Sequence, residues 1–361
     1  FYSCRYALAA ALKNIITSPK DNILLPSYNC STEIDPVLSV GAKPIFYRVT
    51  RELNIDIDDL VLKINKNTKA ILVTHYFGFS LPLNEIKNIC EERNILLIED
   101  CAHSFLSQAD GHYLGSTGDF AVFSLWKILP VPDGGLLVVN NPRIQFSLKK
   151  VAPPLFPFLY VAGKMLSHIS YDHLDLRTIS MKLFLRSVFL ALKAARLFMR
   201  GLKKLTGKGR LHLLIPDSYE FLSEAIKLEI SKFSKRIIES SDLKSIKNVR
   251  RNNYKYLHQN IKRIHGIKLV FDELPDGTNP LFFPIIVKNR KNLYQRMKQK
   301  GVVTFPFWEV FHKEVPWDKF PDAVFLKNHL LGLPVHQDLT QRNLDYLLET
   351  LDQIFAQTKA L

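Results

Sequence analysis

The sequence is poor in the residues that build disulfide or metal frameworks. Only four cysteines occur in 361 residues, Cys4, Cys30, Cys90 and Cys101, and they form no C-x-x-C pair and no zinc-ligand spacing. A chain of this length buries enough apolar surface to fold without disulfide bridges. We therefore expect reduced thiols in a cytoplasmic protein and no metal site.

The sequence also lacks any recognisable targeting or membrane-spanning segment. No signal peptide is visible, and no charge-free apolar run reaches the roughly 18–20 residues that span a bilayer. Hydrophobic residues make up 47% and charged residues 23%, which excludes a disordered or collagen-like chain. The length predicts two domains, or one large domain with an appendage. Because the chain begins with Phe1 rather than Met, we expect residues upstream of it.

Positive charge is in excess and clustered. The formal net charge is +15, and residues 177–210 contain ten basic residues and no acidic one. On a helix, most of these basic residues form one stripe beside a broad apolar face. Three interpretations stay open: a helix packed on the protein or on a second subunit with a solvated basic edge, peripheral contact with an anionic membrane, and nucleic-acid binding. No recognition motif accompanies the charge, so we expect no nucleic-acid partner.

Short apolar runs in the first 140 residues predict a buried sheet. They are continuous rather than alternating, which is typical of strands covered on both faces, and they occupy residues 23–25, 70–73, 95–98, 120–123 and 136–139. Spacings of 25 residues from Val73 to Ile98 and from Ile98 to Phe123 fit strand–helix–strand units, with Asn84 as the N-cap of one helix. An α/β domain with a mostly parallel sheet is predicted.

The second half of the chain has a different pattern. A proline-containing, then apolar and basic insert at about residues 150–216 interrupts the α/β pattern, and residues 222–256 read as charged amphipathic helix. After Gly266, strand-like runs alternate with helical stretches, in the order 267–271, 281–287, 291–300 and 341–354. We predict a large domain over residues 1–245 that includes the insert, and a smaller α+β domain over residues 246–361.

Chemically active side chains follow the predicted strands. In open α/β sheets, ligands bind beyond the carboxyl ends of the strands. The third run is followed by Glu99, Asp100 and His103, and the fourth by Ser124 and Lys127. Each alone is weak evidence, because lone lysines are mostly solvated, lone histidines are mostly structural, and an acidic strand end also occurs in phospho-acceptor regulators. The combination favours a single catalytic crevice.

Several segments together resemble a known enzyme family. Residues 98–104 (IEDCAHS), 115–124 (GSTGDFAVFS) and 133–135 (DGG), with Lys127 between the last two, resemble the DegT/DnrJ/StrS-type sugar aminotransferases. Those enzymes depend on pyridoxal 5′-phosphate (PLP) and have PLP-transferase fold type I. Further similarity occurs in residues 5–12, 25–28, 41–46, 68–75 and 333–336. The resemblance covers residues 1–145 well and 217–361 loosely, and residues 150–216 have no counterpart.

The resemblance implies three catalytic residues. PLP needs a lysine amine that binds it covalently and then moves a proton between substrate and cofactor, and Lys127 matches that residue. A carboxylate must face the pyridine nitrogen to keep it protonated, and Asp100 matches it. His103 matches the residue near the cofactor ring and its 3′-oxygen.

The resemblance also implies a phosphate site. Ser124 matches a phosphate-contacting serine, and Ser3, Cys4 and Arg5 open the first helix, whose N-terminal amides attract an anion. The pattern usually has Gly-Thr where this chain has Cys4 and Arg5, so we expect the Arg5 side chain or the backbone alone to contact the phosphate.

Two further departures concern spacing and the stacking aromatic residue. The usual lysine lies five residues after the serine, whereas Lys127 lies three after Ser124, and we expect the shorter loop to deliver it to the cofactor. The aromatic residue that stacks on the cofactor ring is replaced by Cys30, so Tyr28 or Tyr76 is expected to substitute.

The function implied by the resemblance is conversion of a keto sugar, typically nucleotide-linked, to an amino sugar. Glutamate is the expected amino donor, a homodimer shares its active sites across the interface, and the product feeds a surface polysaccharide, a lipopolysaccharide or a secondary metabolite. Two alternatives are a PLP-dependent sugar dehydratase and a non-catalytic, membrane-associated member of the fold.

Overall fold

A computed structural model describes residues 1–153 and 221–359 of the chain. The basic segment at residues 177–210 lies outside the described residues, so its three interpretations stay predictions. Within the two described ranges, no helix combines the length and the apolar character needed to cross a lipid bilayer.

The N-terminal part is built around a six-stranded sheet. The strands of this part are β1 (Asn22–Pro26), β2 (Lys43–Tyr47), β3 (Thr68–Thr74), β4 (Leu96–Asp100), β5 (Gln108–Ala109), β6 (His112–Tyr113), β7 (Phe120–Ser124) and β8 (Gly135–Val139). The sheet has the order β2-β1-β3-β4-β7-β8, and β5 and β6 form a separate pair. Neighbouring strands run parallel from β2 to β7, and β8 runs antiparallel to β7.

Helices connect these strands and fill the C-terminal part. Four lie before β4 in the chain. The first, α1 (Cys4–Ile15), precedes β1, and the other three connect successive strands: α2 (Ser31–Ser39), α3 (Ile57–Lys63) and α4 (Asn84–Glu92). Five follow residue 221: α5 (Lys232–Ser240), α6 (Leu243–Ile261), α7 (Arg290–Gln299), α8 (Pro321–His329) and α9 (Gln341–Lys359).

The predicted fold class, an α/β PLP-transferase fold type I with a smaller α+β part, is confirmed. The five apolar runs lie in strands of the six-stranded sheet, with only Ile95 outside its strand, and β1 is buried at every position. The strand β2 escaped prediction because it begins with the exposed Lys43 and contains Pro44, which is tolerated there since β2 is an edge strand. The prediction for Asn84 was wrong by one position, since Leu83 is the N-cap residue and Asn84 the first helical residue.

A second sheet of four antiparallel strands forms in the C-terminal part. Its strands are β9 (Ile267–Leu269), β10 (Phe282–Val287), β11 (Phe305–Pro306) and β12 (Leu330–Pro334), in the order β11-β12-β10-β9. The continuous helix predicted over residues 222–256 was wrong. A short 3-10 turn at Ser223–Lys227 precedes α5 and α6, whose N-caps Ser231 and Asp242 each accept a hydrogen bond from a backbone N–H and so start separate helices. The predicted domain boundary at residue 245/246 falls inside α6 and stays a prediction.

The two parts of the chain touch beside the carboxyl edge of the large sheet. Gly78 has φ +98°, and a Cβ there would lie 2.2 Å from the carbonyl oxygen of Asn279, so only glycine allows this approach. The Leu281 N–H donates to the Phe77 carbonyl at 2.9 Å. The segment leading into β10 is therefore fixed next to the residues that follow β3.

Candidate active site

The carboxyl ends of three neighbouring strands bring the predicted residues together. Thr74 at the end of β3 pairs with Asp100 at the end of β4, and Asp100 pairs with Val122 of β7. Ser124 ends β7 two residues further on, and a 3-10 turn at Leu125–Lys127 follows it. The rule that parallel strands present their ends at one edge thus places these side chains in one region.

Asp100 is a buried carboxylate with one oxygen engaged and the other free. Its side chain is 4% exposed, and Oδ1 accepts a hydrogen bond from the Ala102 N–H at 2.7 Å. Oδ2 has no hydrogen-bond partner among the described residues. Burial raises the pKa of Asp100, although the Lys127 ammonium and the Ala102 N–H oppose this rise. The free oxygen can therefore face a cationic nitrogen, which would keep the carboxylate ionised.

Lys127 lies near enough to this carboxylate for its charge to act on the pKa of Asp100. Lys127 is half-buried, and its charge acts on the pKa values of four neighbouring groups: Asp100, His103, Cys4 and Glu33. Lys127 makes no hydrogen bond or ion pair with a residue of the two described ranges. The next carbonyl, that of Ile128, accepts from Nε2 of Gln337 at 3.4 Å. Among the described residues the Lys127 amine thus has no hydrogen-bond partner, while the carbonyl of the next residue is hydrogen-bonded.

His103 lies near Lys127, whose charge acts on its pKa. It is 2% exposed, and its Nδ1 accepts from the Phe77 N–H at 3.4 Å, so the proton of the neutral ring is assigned to Nε2. Burial, with the Lys127 charge as a second cause, lowers the pKa of His103 well below its usual range. His103 can therefore donate one hydrogen bond from Nε2 without carrying charge.

The N-terminus of α1 has the features of an anion site. Ser3 is the N-cap residue, but its side chain does not cap the helix, and its buried Oγ has no hydrogen-bond partner among the described residues. The first turn contains no acidic residue. Gly135 packs so closely that a Cβ would lie 2.2 Å from the Ser3 carbonyl carbon. The amide at Cys4 and the Ser3 hydroxyl can therefore donate to an anion, as the helix dipole favours.

Tyr28 and Tyr76 both lie in the core beside the site. Tyr76 donates from its hydroxyl to the Tyr28 carbonyl at 2.7 Å, and the two ring centroids are 5.7 Å apart. The buried Tyr28 hydroxyl has no partner among the described residues. That Tyr28 or Tyr76 stacks on the cofactor ring, in place of the aromatic residue that Cys30 replaces, stays a prediction.

Three residues at the site were missed by sequence reasoning. Glu33 on α2 is 5% exposed, and its carboxylate accepts from the Thr74 hydroxyl at 3.4 Å and from the Cys30 N–H at 3.3 Å. Burial and the neighbouring Asp100 raise the pKa of Glu33 well above its usual range. A signal existed, since Glu33 lies one helical turn before the buried Val37 and so on the apolar face of α2.

The other two missed residues come from the C-terminal part. Trp308 contacts the rings of Tyr28 and His103, with centroid distances of 4.8 and 5.4 Å. Lys327 on α8 is 1% exposed and donates to three backbone carbonyls. No local sequence pattern predicts that either residue lies at the site, because a tryptophan in a loop and a lysine in a short helix are ordinary features.

The acid next to Asp100 has a structural role. Glu99 accepts from His75 Nε2 at 2.9 Å, and three backbone N–H groups donate to its two oxygens, at Gly115 (2.9 Å), Thr117 (2.8 Å) and Gly118 (2.6 Å). Burial opposes its ionisation, but the hydrogen bonds outweigh burial and lower the pKa of Glu99.

A metal cluster at this place is disfavoured. Ligand atoms of His75, Glu99 and Cys101 lie within 4.8 Å of one another. However, His75 Nδ1 accepts from the Leu81 N–H at 3.1 Å, and its Nε2 donates to Glu99. Both ring nitrogens are thus engaged within the protein.

Residues 1–152 match the model of the family described as the DegT/DnrJ/EryC1/StrS aminotransferase family. A dTDP-4-dehydro-2,3,6-trideoxy-D-glucose 4-aminotransferase of Saccharopolyspora spinosa is 33% identical over 149 residues, which are 40% of this chain and 39% of that protein. A GDP-perosamine synthase of Vibrio cholerae is 29% identical over 141 residues, 38% of each chain. The chain thus matches about two fifths of the length of these curated relatives.

A solved structure extends the similarity in fold beyond residue 152. The aminotransferase TlmJ of Streptoalloteichus hindustanus superposes with a TM-score of 0.68, covering 99% of this chain and 85% of that one at 21% identity. The C-terminal part, where the sequence similarity to the curated relatives ends, therefore keeps the same architecture.

Proposed function

Since residues 1–152 belong to the DegT/DnrJ/EryC1/StrS aminotransferase family, we propose that this protein is a PLP-dependent aminotransferase that converts a keto sugar to an amino sugar. The names of two relatives, a dTDP-sugar aminotransferase and a GDP-perosamine synthase, support a nucleotide-linked substrate. Glutamate is the proposed amino donor, and a homodimer the proposed assembly. The proposed product enters a surface polysaccharide or a secondary metabolite.

The residues present fit PLP. When bound, PLP supplies an aldehyde carbon that combines with amines and a pyridine ring that withdraws electrons when protonated. Asp100 offers its free Oδ2 to the pyridine nitrogen and so holds a proton there. The uncapped N-terminus of α1 and the unpartnered Ser3 hydroxyl offer donors to the phosphate, with Ser124 at the end of β7 as a further donor.

Lys127 and His103 have distinct proposed tasks. Lys127 would hold the cofactor through its amine and would carry a proton to and from the substrate carbon. His103 would offer its Nε2 N–H to the 3′-oxygen of the cofactor, and its lowered pKa disfavours a second cation beside Lys127. One observation carries the proposal: Lys127 and the buried Asp100 carboxylate lie close together at the carboxyl edge of a parallel sheet, and neither the Lys127 amine nor Asp100 Oδ2 has a hydrogen-bond partner among the described residues.

The direct test locates the lysine that binds PLP. Purified protein is mixed with PLP, its absorption spectrum is recorded before and after borohydride reduction, and the modified peptide is identified by mass spectrometry. We expect modification at Lys127 and none in Lys127→Ala. The buried Lys327, whose pKa is lowered to about 8 by burial, is the built-in competitor. Modification there, or on neither lysine, contradicts the assignment.

A second measurement separates the reaction types. If the protein is an aminotransferase, glutamate converts bound PLP to the pyridoxamine form. If the protein is a sugar dehydratase, glutamate does not convert bound PLP to the pyridoxamine form, but the keto-sugar substrate is still consumed. A protein that binds no PLP supports the non-catalytic alternative.

A further inference from the structure

We propose that Trp308 forms one wall of the PLP site and that Lys327 is the positioning residue that holds it there. This inference rests on the proposed function, because the wall is assigned to the proposed cofactor. It adds two residues of the C-terminal part to a site that the sequence motifs place in the N-terminal part.

Trp308 stands next to two predicted cofactor-binding residues. Its ring centroid is 4.8 Å from that of Tyr28 and 5.4 Å from that of His103. The ring of Tyr76 is 5.8 Å away, and the Trp308 side chain is half-buried, so part of the indole remains open. An aromatic face in this position can pack against another flat ring.

The backbone of Trp308 needs external support. Its φ is +53°, in the left-handed region that large side chains seldom adopt. The residue lies in a loop beyond the two-residue strand β11, so no long strand or helix imposes this conformation. Contacts from elsewhere must therefore stabilise it.

Lys327 supplies that support. Its Nζ donates to the carbonyl of Trp308 at 2.8 Å, to that of Val310 at 3.0 Å and to that of Asn29 at 3.1 Å. These contacts use all three hydrogens of the ammonium group. Asn29 directly follows Tyr28, so one side chain on α8 joins the Trp308 loop to the turn beyond β1.

The surroundings of the ammonium group argue against direct catalysis by Lys327. Its Nζ lies 4.9 Å from the centroid of Trp317, 5.7 Å from that of Phe311 and 6.0 Å from that of Tyr28. With its hydrogens donated to carbonyls and aromatic rings around it, the amine offers no face to a ligand. Lys327 therefore acts through the residue it holds.

A lysine with a purely structural role could make the same hydrogen bonds. The test must therefore measure whether the aromatic ring of Trp308 contributes to PLP binding. Four variants of the full chain serve: Lys327→Met, Trp308→Leu, Trp308→Phe and the control Lys319→Met, which removes an exposed lysine close to α8. The dissociation constant of PLP is measured by ultrafiltration, and the circular dichroism of bound PLP reports its surroundings. Thermal unfolding confirms that each variant is folded.

We expect Trp308→Leu to weaken PLP binding about tenfold, as loss of an aromatic contact predicts, and Trp308→Phe to restore part of the affinity. Lys327→Met should weaken binding several-fold and alter the circular dichroism of bound PLP, with Lys319→Met unchanged. If Lys327→Met does not fold, the two Trp308 variants decide. Wild-type affinity in Trp308→Leu overturns this inference alone, whereas a wild-type protein that binds no PLP overturns the proposed function and this inference with it.

Discussion

The two regions of this chain contribute different kinds of residue to the candidate site. Residues 1–153 contain the titratable side chains Asp100, His103 and Lys127, at the ends of β4 and β7 or up to three residues beyond them. Residues 221–359 supply Trp308, which offers an aromatic face, and Lys327, which makes only backbone hydrogen bonds and ring contacts. Under the proposed function, the first region would supply the chemistry at the sheet edge and the second region would shape the site.

The strongest way to break this comparison is Lys127→Ala. If the chemistry resides in the first region, transamination should fall by at least about 10³-fold, because no other amine replaces the one that binds the cofactor and moves the proton. Steady-state kinetics with a keto sugar and glutamate measure the loss. A variant that keeps a tenth of the activity would transfer the catalytic role to another lysine.

The two neighbouring acids of β4 sharpen the comparison within the first region. Glu99→Gln should lower the free energy of unfolding by about 3 kcal/mol, since its amide group would oppose backbone N–H donors that now meet a carboxylate. Asp100→Asn keeps its single hydrogen bond from Ala102 and should stay stable while activity drops by about 10²-fold or more. Urea denaturation and kinetics on both variants check this, and equal stability losses would remove the distinction.

The pH dependence of the unfolding free energy, compared between the wild type and Glu33→Gln, tests the raised pKa of the buried Glu33. Because the pKa of Glu33 is raised in the folded state by burial and by Asp100, the folded protein binds more protons than the unfolded chain above the ordinary glutamate range. The stability this provides is complete below that range and is lost as the pH rises. The unfolding free energy of the wild type, measured relative to Glu33→Gln, should therefore fall from acidic to neutral pH. The exposed Glu92→Gln serves as the control and should give a flat difference.

The smallest expected effect concerns the link from the second region to the lysine loop. Arg250 Nε donates to Gln337 Oε1 at 2.9 Å, and Gln337 Nε2 donates to the carbonyl of Ile128, the residue after Lys127. Gln337→Ala should lower stability by about 1 kcal/mol and kcat about threefold, with KM unchanged, because the turn carrying Lys127 loosens. The exposed Gln299→Ala is the matched control. An altered KM with unchanged kcat would place Gln337 in substrate binding instead.

Sequence reasoning succeeded where the signal is local. Continuous apolar runs predicted five strands of the large sheet, and the rule about strand ends predicted that Asp100, Ser124 and Lys127 lie at one edge. It failed for Lys327 because its acceptor on Asn29 is 298 residues away in the chain. It also failed for Trp308, whose position follows from a backbone conformation that its residue type does not favour.

The hydrogen bonds of Lys327 end on carbonyl oxygens, which every amino acid carries. The side chains at residues 29, 308 and 310 can therefore change in evolution or in a mutant library while the hydrogen bonds from Lys327 to their carbonyls persist. Substitution of Trp308 would therefore change the ring at the proposed wall of the site and leave the three hydrogen bonds of Lys327 in place, which offers a route to new ligand preference at little risk to folding.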